Sequence, residues 1–581
     1  MKYDFQSVPD RRGTGSNKWD QTPGASPECV PLTTADMEFP MAPEIAASLQ
    51  EYARKAIYGY TGPTKRYFDA VCNWMKEKHQ FEVKPEWILP TPGVVYALGI
   101  LIHAMSEPGD SVVILTPVYY PFDQSVVASG RKIVYSPLKT DGMHYTIDYE
   151  DLEKKAAQEE CRLLLFCNPH NPVGRVWSRE ELEKVVDICY RNQVFIIDDE
   201  IHHDLIMPWY QHTVMSELSE EARQICAVCT APSKTFNLAG LQCSNIIIPN
   251  QMAYAKTVVA HTMNLQAGLN SFAYEACIAA YTKCDEWLEE LISVIRGNAE
   301  YVTRFMAEHF PAVTVYPLEG TYLLWLNMRG LGMTHKELEQ LMKEDARLYL
   351  DEGYMFGTAG RGFERINLAC SRVMIERSME RFRQAMEKRQ KMWEKNGRPY
   401  HCTLAPGKKL ERFVYDTAYE SGIVLAERIA RPTVLIFSRY YTCSLCQGFL
   451  SQLKASWEQI RQTGVDVKVV LQSTAERMRE ADVKEIFPFE IICDPDAALY
   501  DQYNVFEADS ELAMLSGEDE LIEQMGGIRN ILLSMGSGET EGRSRQLPAV
   551  FLVRPDMTVG YAYYGSSMND YPELSDLMRL L

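Results

Sequence analysis

Between residues 110 and 250 the chain repeats one pattern: a short unbroken apolar run, a few polar or turn residues, then a helix-like stretch. The runs are Ser-Val-Val-Ile-Leu-Thr-Pro (111–117), Arg-Leu-Leu-Leu-Phe-Cys-Asn-Pro (162–169), Val-Phe-Ile-Ile-Asp-Asp-Glu (194–200), Ile-Cys-Ala-Val-Cys-Thr (225–230) and Ser-Asn-Ile-Ile-Ile-Pro (244–249). Continuous rather than alternating apolarity means burial on both faces, which predicts an α/β domain built on a mostly parallel sheet covered by helices. Ligands gather at the carboxyl ends of such strands. Tyr119, Asn171, Asp199 and Lys234 all fall there.

Residues 285–310 and 334–390 read mainly as amphipathic helices around two short strands, 321–326 and 365–369, a smaller α/β domain of the same unit. A stretch rich in Lys and Arg, with Asn-Gly and two prolines, follows, and a linker is placed at 393–411. The pattern then restarts. Strands are expected at 433–438, 465–472, 489–494, 549–555 and 558–564, with helices after the first two and a terminal helix, a thioredoxin-like order. The expected division is 1–392, linker 393–411 and 412–581, with a flexible polar loop at 536–545.

The 581 residues exceed what one core accommodates. A net charge of −20 argues against nucleic acid and anionic lipid as partners, since both need a basic surface. No apolar run approaches a membrane span, and the amino terminus lacks the apolar core of a secretory signal, so a cytoplasmic protein is expected. Fifteen cysteines, an odd number scattered through apolar segments, suit free thiols in a reducing compartment.

Lys234 follows a strand and precedes a Gly-containing loop, and Asp199 ends another strand. A lysine, an acid and an anion site are the set that pyridoxal phosphate chemistry needs: an imine former, a partner for the pyridinium nitrogen and a phosphate cradle. In Thr91-Pro-Gly-Val-Val-Tyr-Ala-Leu98 a turn opens a helix, so the amides of Val94 and Val95 are expected to point at the phosphate with help from the helix dipole.

Longer motifs carry a resemblance. Phe5-Gln-Ser-Val-Pro-Asp-Arg-Arg-Gly-Thr-Gly-Ser-Asn-Lys-Trp19, Ala35-Asp-Met-Glu-Phe-Pro40, Asn168-Pro-His-Asn-Pro-Val-Gly-Arg175 and Asp199-Glu-Ile-His-His-Asp-Leu205 occur in order. With them, residues 1 to about 390 resemble the fold-type I class I/II aminotransferases, most closely the MalY/PatB branch of cystathionine β-lyases. The resemblance implies the pyridoxal 5′-phosphate transferase fold, with Lys234 as both Schiff-base residue and Cα base and Asp199 on the pyridinium nitrogen. It implies Asn171 on the phenolic oxygen, Tyr119 stacked on the ring, Arg365 on the substrate α-carboxylate, and Tyr60 reaching the phosphate in a neighbouring subunit, hence a homodimer. The implied reaction is β-elimination from a sulfur amino acid, giving pyruvate, ammonia and a thiol or sulfide. Transamination shares its carbanion and stays open, as does a pyridoxal-binding regulatory module serving the thiol domain.

Departures matter too. Where many aminotransferases place a serine and an arginine on the phosphate, this chain has Ala231 and Gln242, which leaves Ser233 as a candidate. His202 replaces a tyrosine near the phenolic oxygen, a change that matches the lyase branch, whereas His203 is read as structural.

Cys443-Ser-Leu-Cys446 follows an apolar strand and opens a helix, where exposed amides and the dipole lower a thiol's pKa. Cys443 is expected to attack and Cys446 to resolve, with a thiol reductant as partner. Residues 412–581 resemble the AhpC/TSA-related branch of the thioredoxin fold, in which Pro548 would be a cis-proline facing the pair. Peroxidase and disulfide reductase activities both remain open. No second cysteine pair exists to complete a zinc site, and no metal is expected.

Overall fold

The computed structural model describes the chain except residues 1, 21–27, 264–267, 334, 396–403, 405–406, 411–412, 504, 506, 509–513, 516–540, 566 and 573–581. The expected terminal helix and positions 536–540 of the expected polar loop therefore lie outside the described residues.

The large sheet contains seven strands: β1 (Ile88–Thr91), β2 (Ser111–Thr116), β3 (Lys132–Pro137), β4 (Cys161–Cys167), β5 (Phe195–Asp199), β6 (Cys226–Thr230) and β7 (Ser244–Ile247). Their order is β1-β7-β6-β5-β4-β2-β3, parallel except for β7, which runs antiparallel to both neighbours. The sheet is thus mixed, with one reversed strand. All five residues of β5 and of β6 are buried, as continuous apolar runs require when helices cover both faces. β3 is an edge strand with mostly exposed or half-buried positions.

Helix α1 (Lys65–His79) packs on one side of this domain, while α2 (Val94–Met105) leaves β1 through Gly93, whose φ of +104° favours glycine. The four-residue helix α3 (Pro232–Thr235) follows β6 directly and carries Lys234. A second, four-stranded antiparallel sheet comprises β8 (Thr314–Val315), β9 (Leu323–Asn327), β10 (Asp351–Glu352) and β11 (Phe363–Asn367), in the order β8-β9-β11-β10. It is the expected small domain. Helix α4 (Arg372–Lys395) closes it and runs into the segment read as the start of the linker.

The third sheet contains β12 (Thr433–Phe437), β13 (Asp466–Leu471), β14 (Glu490–Cys493), β15 (Ala549–Val553) and β16 (Val559–Tyr564), ordered β14-β13-β12-β15-β16. The first three are mutually parallel and the last two antiparallel, the thioredoxin-like arrangement expected. Helix α5 (Ser444–Ala455) begins just beyond Cys443. One expectation fails: the cis peptides among the described residues are Thr116–Pro117, Asn168–Pro169 and Asn171–Pro172, and Leu547–Pro548 is not one of them. No helix among the described residues is long and apolar enough to cross a membrane.

Candidate active site

The carboxyl ends of β4, β5 and β6 bring Asn171, Asp199 and Lys234 together, and the small sheet adds Arg365 from β11. Lys234 Nζ donates to the Ala35 carbonyl at 2.6 Å, which docks the amino-terminal segment 35–40 against the lysine. Arg365 Nη1 donates to Asn171 Oδ1 at 2.7 Å. With its oxygen so occupied, the Asn171 amide has its two N–H groups to offer a phenolic oxygen.

Burial dominates the electrostatics. It pushes the Asp199 carboxyl up to about 7, opposed by a bond from the Ile201 amide (3.1 Å) and by the Lys234 charge. It lowers the Lys234 ammonium to about 8, aided by Arg365 and opposed by Asp36 and Asp199. His202 is held neutral by burial and by Lys234 and Arg365, and its Nδ1 has no hydrogen-bond partner. Burial and the Asp199 charge raise the Tyr119 phenol well above its ordinary range.

These residues fit pyridoxal phosphate. A buried carboxylate held short of a cation is what a protonated ring nitrogen would satisfy. The first-turn amides of α2, Val94 and Val95 among them, have no helical acceptor. A Cβ added at Gly93 would meet nothing within 4 Å, so the space before those amides is open. Ser244 Oγ accepts from the Gly93 amide at 3.1 Å and fixes the turn. Ser233 is half-buried in α3 beside Lys234. Tyr60, by contrast, is 113% exposed, within a run from 53 to 66 in which every residue is exposed.

Sequence reasoning missed several members. Asp351 on β10 is buried and grips Arg365 through Nε at 3.1 Å and through Nη2, while accepting from the Thr34 amide. Tyr322 packs edge-on against His202, ring centroids 5.8 Å apart. Thr230 Oγ1, at the end of β6, is buried with no hydrogen-bond partner among the described residues. No motif marks these positions; only the meeting of distant segments brings them to the candidate site.

At the second candidate site Cys443 caps α5, and its sulfur accepts from Arg439 Nη2 at 2.8 Å and from the Cys446 amide at 3.3 Å. Both thiols are buried, Cys443 7% and Cys446 2% exposed. The hydrogen bond between them holds Cys446 below the usual range and, with burial, raises Cys443, while the buried Arg439 guanidinium lies against the pair. Electrostatics thus favour charge on Cys446, and exposure favours access to Cys443.

A mixed seven-stranded sheet with a lysine and a buried carboxylate at its carboxyl edge, completed by an arginine from a second sheet, defines the class: a pyridoxal-phosphate transferase fold. The model of the aminotransferase class I and II family matches residues 27–382, and that of the AhpC/TSA family matches residues 406–562. The chain is 40% identical over 385 residues to cystathionine beta-lyase PatB of Bacillus subtilis, an overlap of 66% of this chain and 99% of that protein. It is 31% identical over 383 residues to protein MalY of Escherichia coli, covering 65% and 97%. The crystal structure of cystalysin from Treponema denticola, which contains pyridoxal 5′-phosphate, matches with a TM-score of 0.65 and 42% identity, over 67% of this chain and all of that one. The chain therefore belongs to the class I and II aminotransferase family, in its cystathionine β-lyase group, and carries an AhpC/TSA thioredoxin-like domain.

Proposed function

We propose that the chain is a pyridoxal 5′-phosphate-dependent carbon–sulfur lyase that breaks the Cβ–S bond of cysteine-derived amino acids by β-elimination. The observation that carries this is the convergence of Lys234, Asp199, Asn171 and Arg365 at one buried edge. When bound, the cofactor supplies an electron sink for the pair left as a Cα proton departs.

The chain does the rest. Arg365, braced by Asp351, binds the α-carboxylate and fixes the substrate's orientation. Lys234, lowered to about 8, is matched to accept the Cα proton at Nζ near neutral pH. With the cofactor bound, Asp199 would hold a proton on the ring nitrogen, Asn171 would donate to the phenolic oxygen, and Tyr119 would cover the ring face. The amides of Val94 and Val95, with Ser233, would hold the phosphate, and His202 lines the site as a neutral imidazole. Loss of the β sulfur as thiol or sulfide leaves aminoacrylate, which hydrolyses to pyruvate and ammonia.

The functional unit is a homodimer in which the exposed run 53–66 places Tyr60 at the neighbouring phosphate; Ile57 and Tyr58, 81% and 53% exposed, make that run an apolar surface to cover. The domains span 1–392 and 412–581. The Cys443 and Cys446 pair acts by thiol–disulfide exchange: Cys443, the more exposed sulfur, attacks a disulfide substrate and releases one thiol, Cys446 displaces the second from the mixed disulfide, and a thiol reductant then reduces the Cys443–Cys446 disulfide. The fourteen described cysteines are all unpaired, which supports a cytoplasmic, reducing location.

A product assay tests the reading. Pyruvate, ammonia and sulfide or thiol are measured from cysteine, cystine and cystathionine, with and without an added keto acid. Turnover without keto acid, absent in Lys234→Ala, is expected. Turnover only when a keto acid is supplied would replace elimination by transamination.

A further inference from the structure

Behind the cofactor-facing residues lies a second layer of charged groups that the chemistry above leaves unused. Chain neighbours divide between the layers: Asp199, His202 and Lys234 belong to the site, whereas Glu200, His203, Asp204 and Thr235 interact with one another. Thr235 Oγ1 donates to Asp204 Oδ2 at 2.7 Å, and Trp74 Nε1 donates to Asp204 Oδ1 at 2.9 Å. His79 Nε2 lies 2.7 Å from that same Oδ1. Glu200 accepts from the Met215 amide at 3.1 Å and lies 2.9 Å from His212 Nε2.

His203 sits between the two carboxylates. Its Nε2 is 3.4 Å from Asp204 Oδ2 and its Nδ1 is 3.7 Å from Glu200 Oε2, and among the described residues neither nitrogen has a hydrogen-bond partner. The ring is fully buried and stacks on His79, centroids 4.1 Å apart and planes 19° from parallel. Two buried carboxylates need a compensating cation, and among the described residues their ion pairs are with histidines alone.

A metal ion is the other way to supply that charge, since ligand atoms of His79, His203 and His212 lie within 4.8 Å of one another. The geometry disfavours it. Nε2 of His79 and of His212 are already committed to carboxylates, and the near-parallel rings of His79 and His203 cannot aim two lone pairs at one ion about 2.0–2.1 Å away.

We propose that His203 is the central cation of a buried triad with Glu200 and Asp204, and that the triad positions Lys234 and Asp199 from behind by anchoring their chain neighbours Thr235 and Glu200. The proposal rests on the pyridoxal-phosphate reading and adds positioning residues to it. Surrounding charges agree. Against burial, Asp204 and Glu200 raise His203 to about 9, and both acids are held well below their usual range by His203 with His212 or His79. From α1, His79 is pushed down to about 4 by burial and by His203; from β5, Asp198 is raised by burial and by Glu200, so neither competes for the charge.

Histidine-selective 15N NMR on the full chain without cofactor tests the charge. One imidazole with both nitrogens protonated at pH 8, lost in His203→Gln, is expected. Neutral imidazoles throughout would overturn the triad, and so would stoichiometric zinc in purified protein that disappears in His203→Gln. Positioning is tested on the full chain loaded with pyridoxal phosphate, by pH titration of its visible absorbance. His203→Gln is expected to move the midpoint upward by about one unit, because the loss of a cation leaves uncompensated negative charge behind Lys234. The double variant His203→Gln/Asp204→Asn, which removes one charge of each sign, is expected back near wild type. An unmoved midpoint in the single variant, or a double variant further from wild type than the single, would overturn the positioning role. Wild-type protein that gains no visible absorbance with pyridoxal phosphate would sink the proposed function instead, and the NMR result would still decide the triad.

Discussion

At the scale of single residues, the site stores unfavourable charge that its cofactor would relieve. Asp199 is raised from its ordinary 3.8 to about 7 by burial. The folded state therefore holds a proton that the unfolded chain releases as pH rises between those values, so Asp199 costs stability fully above about pH 7 and not at all well below 3.8. Asp199→Asn is expected to raise the melting temperature of the cofactor-free protein at pH 8 more than at pH 5. The same change should weaken pyridoxal phosphate by roughly 10–100-fold, the equivalent of one charge-assisted hydrogen bond of about 1.5–3 kcal/mol. Equal affinity of the two proteins would remove Asp199 from the ring nitrogen. Lys234 has the complementary sign. Lowered from 10.5 to about 8, it gives the folded state fewer bound protons between those pH values, so stability climbs as pH rises through that window. A cofactor-free melting profile in which Lys234→Met removes this climb is expected; an unchanged profile would contradict the lowered value. The motif residues among these were legible because chemistry and chain context coincide in a few consecutive positions. Asp351 was not, because its partners lie far from it along the chain, Thr33 and Thr34 near the amino terminus and Arg365 on another strand.

At the scale of elements, α2 and its entry turn form the proposed phosphate site. Gly93 at φ +104° lets the chain leave β1 and present the first amides of α2 to open space. Gly93→Ala is expected to cost about 1–3 kcal/mol through backbone strain alone, since its Cβ has room, and to weaken pyridoxal phosphate binding. Denaturant melts and a cofactor titration read the two effects; unchanged values in both would remove the turn from the site. The central strands were legible because both of their faces are buried and their composition says so. The flanking strands β1 and β3 were not: β1 contains Pro90 and only four residues, and β3 lies at the sheet edge with a single buried position. The reversal of β7 has no signature in its own residues, since direction is set by how β6 and β1 connect to it.

At the scale of the whole molecule, the run 53–66 is where one chain looks incomplete. Tyr60 is 113% exposed, and a second copy is the surface proposed to cover it. Lys234→Ala and Tyr60→Ala, each inactive or nearly so alone, are expected to recover about a quarter of wild-type lyase activity when refolded together. Half of the randomly assorted dimers are then mixed, and each mixed dimer holds one intact site. No recovery would place Tyr60 and Lys234 in the same subunit's site or remove Tyr60 from it. The thioredoxin-like domain meets the rest of the chain at Arg329, whose guanidinium lies 5.1 Å from the Phe363 ring centroid in the small domain and 4.3 Å from that of Tyr563 in β16.

The amino-acid sequence by itself marked the two-part architecture, the buried strands and the candidates Lys234, Asp199, Cys443 and Cys446, because local composition and short motifs encode burial and reactive chemistry along the chain, while Asn171 and Arg365 were marked by the motifs that carry the family resemblance. Tertiary structure alone decided which groups share an environment: the Asp351 grip on Arg365, the Ala35 contact of Lys234, the absence of a cis bond before Pro548, and the packing of His203 between Glu200 and Asp204. Charge interactions and desolvation depend on distance in space, and residues 79, 204, 212 and 235 become neighbours only once the chain has folded.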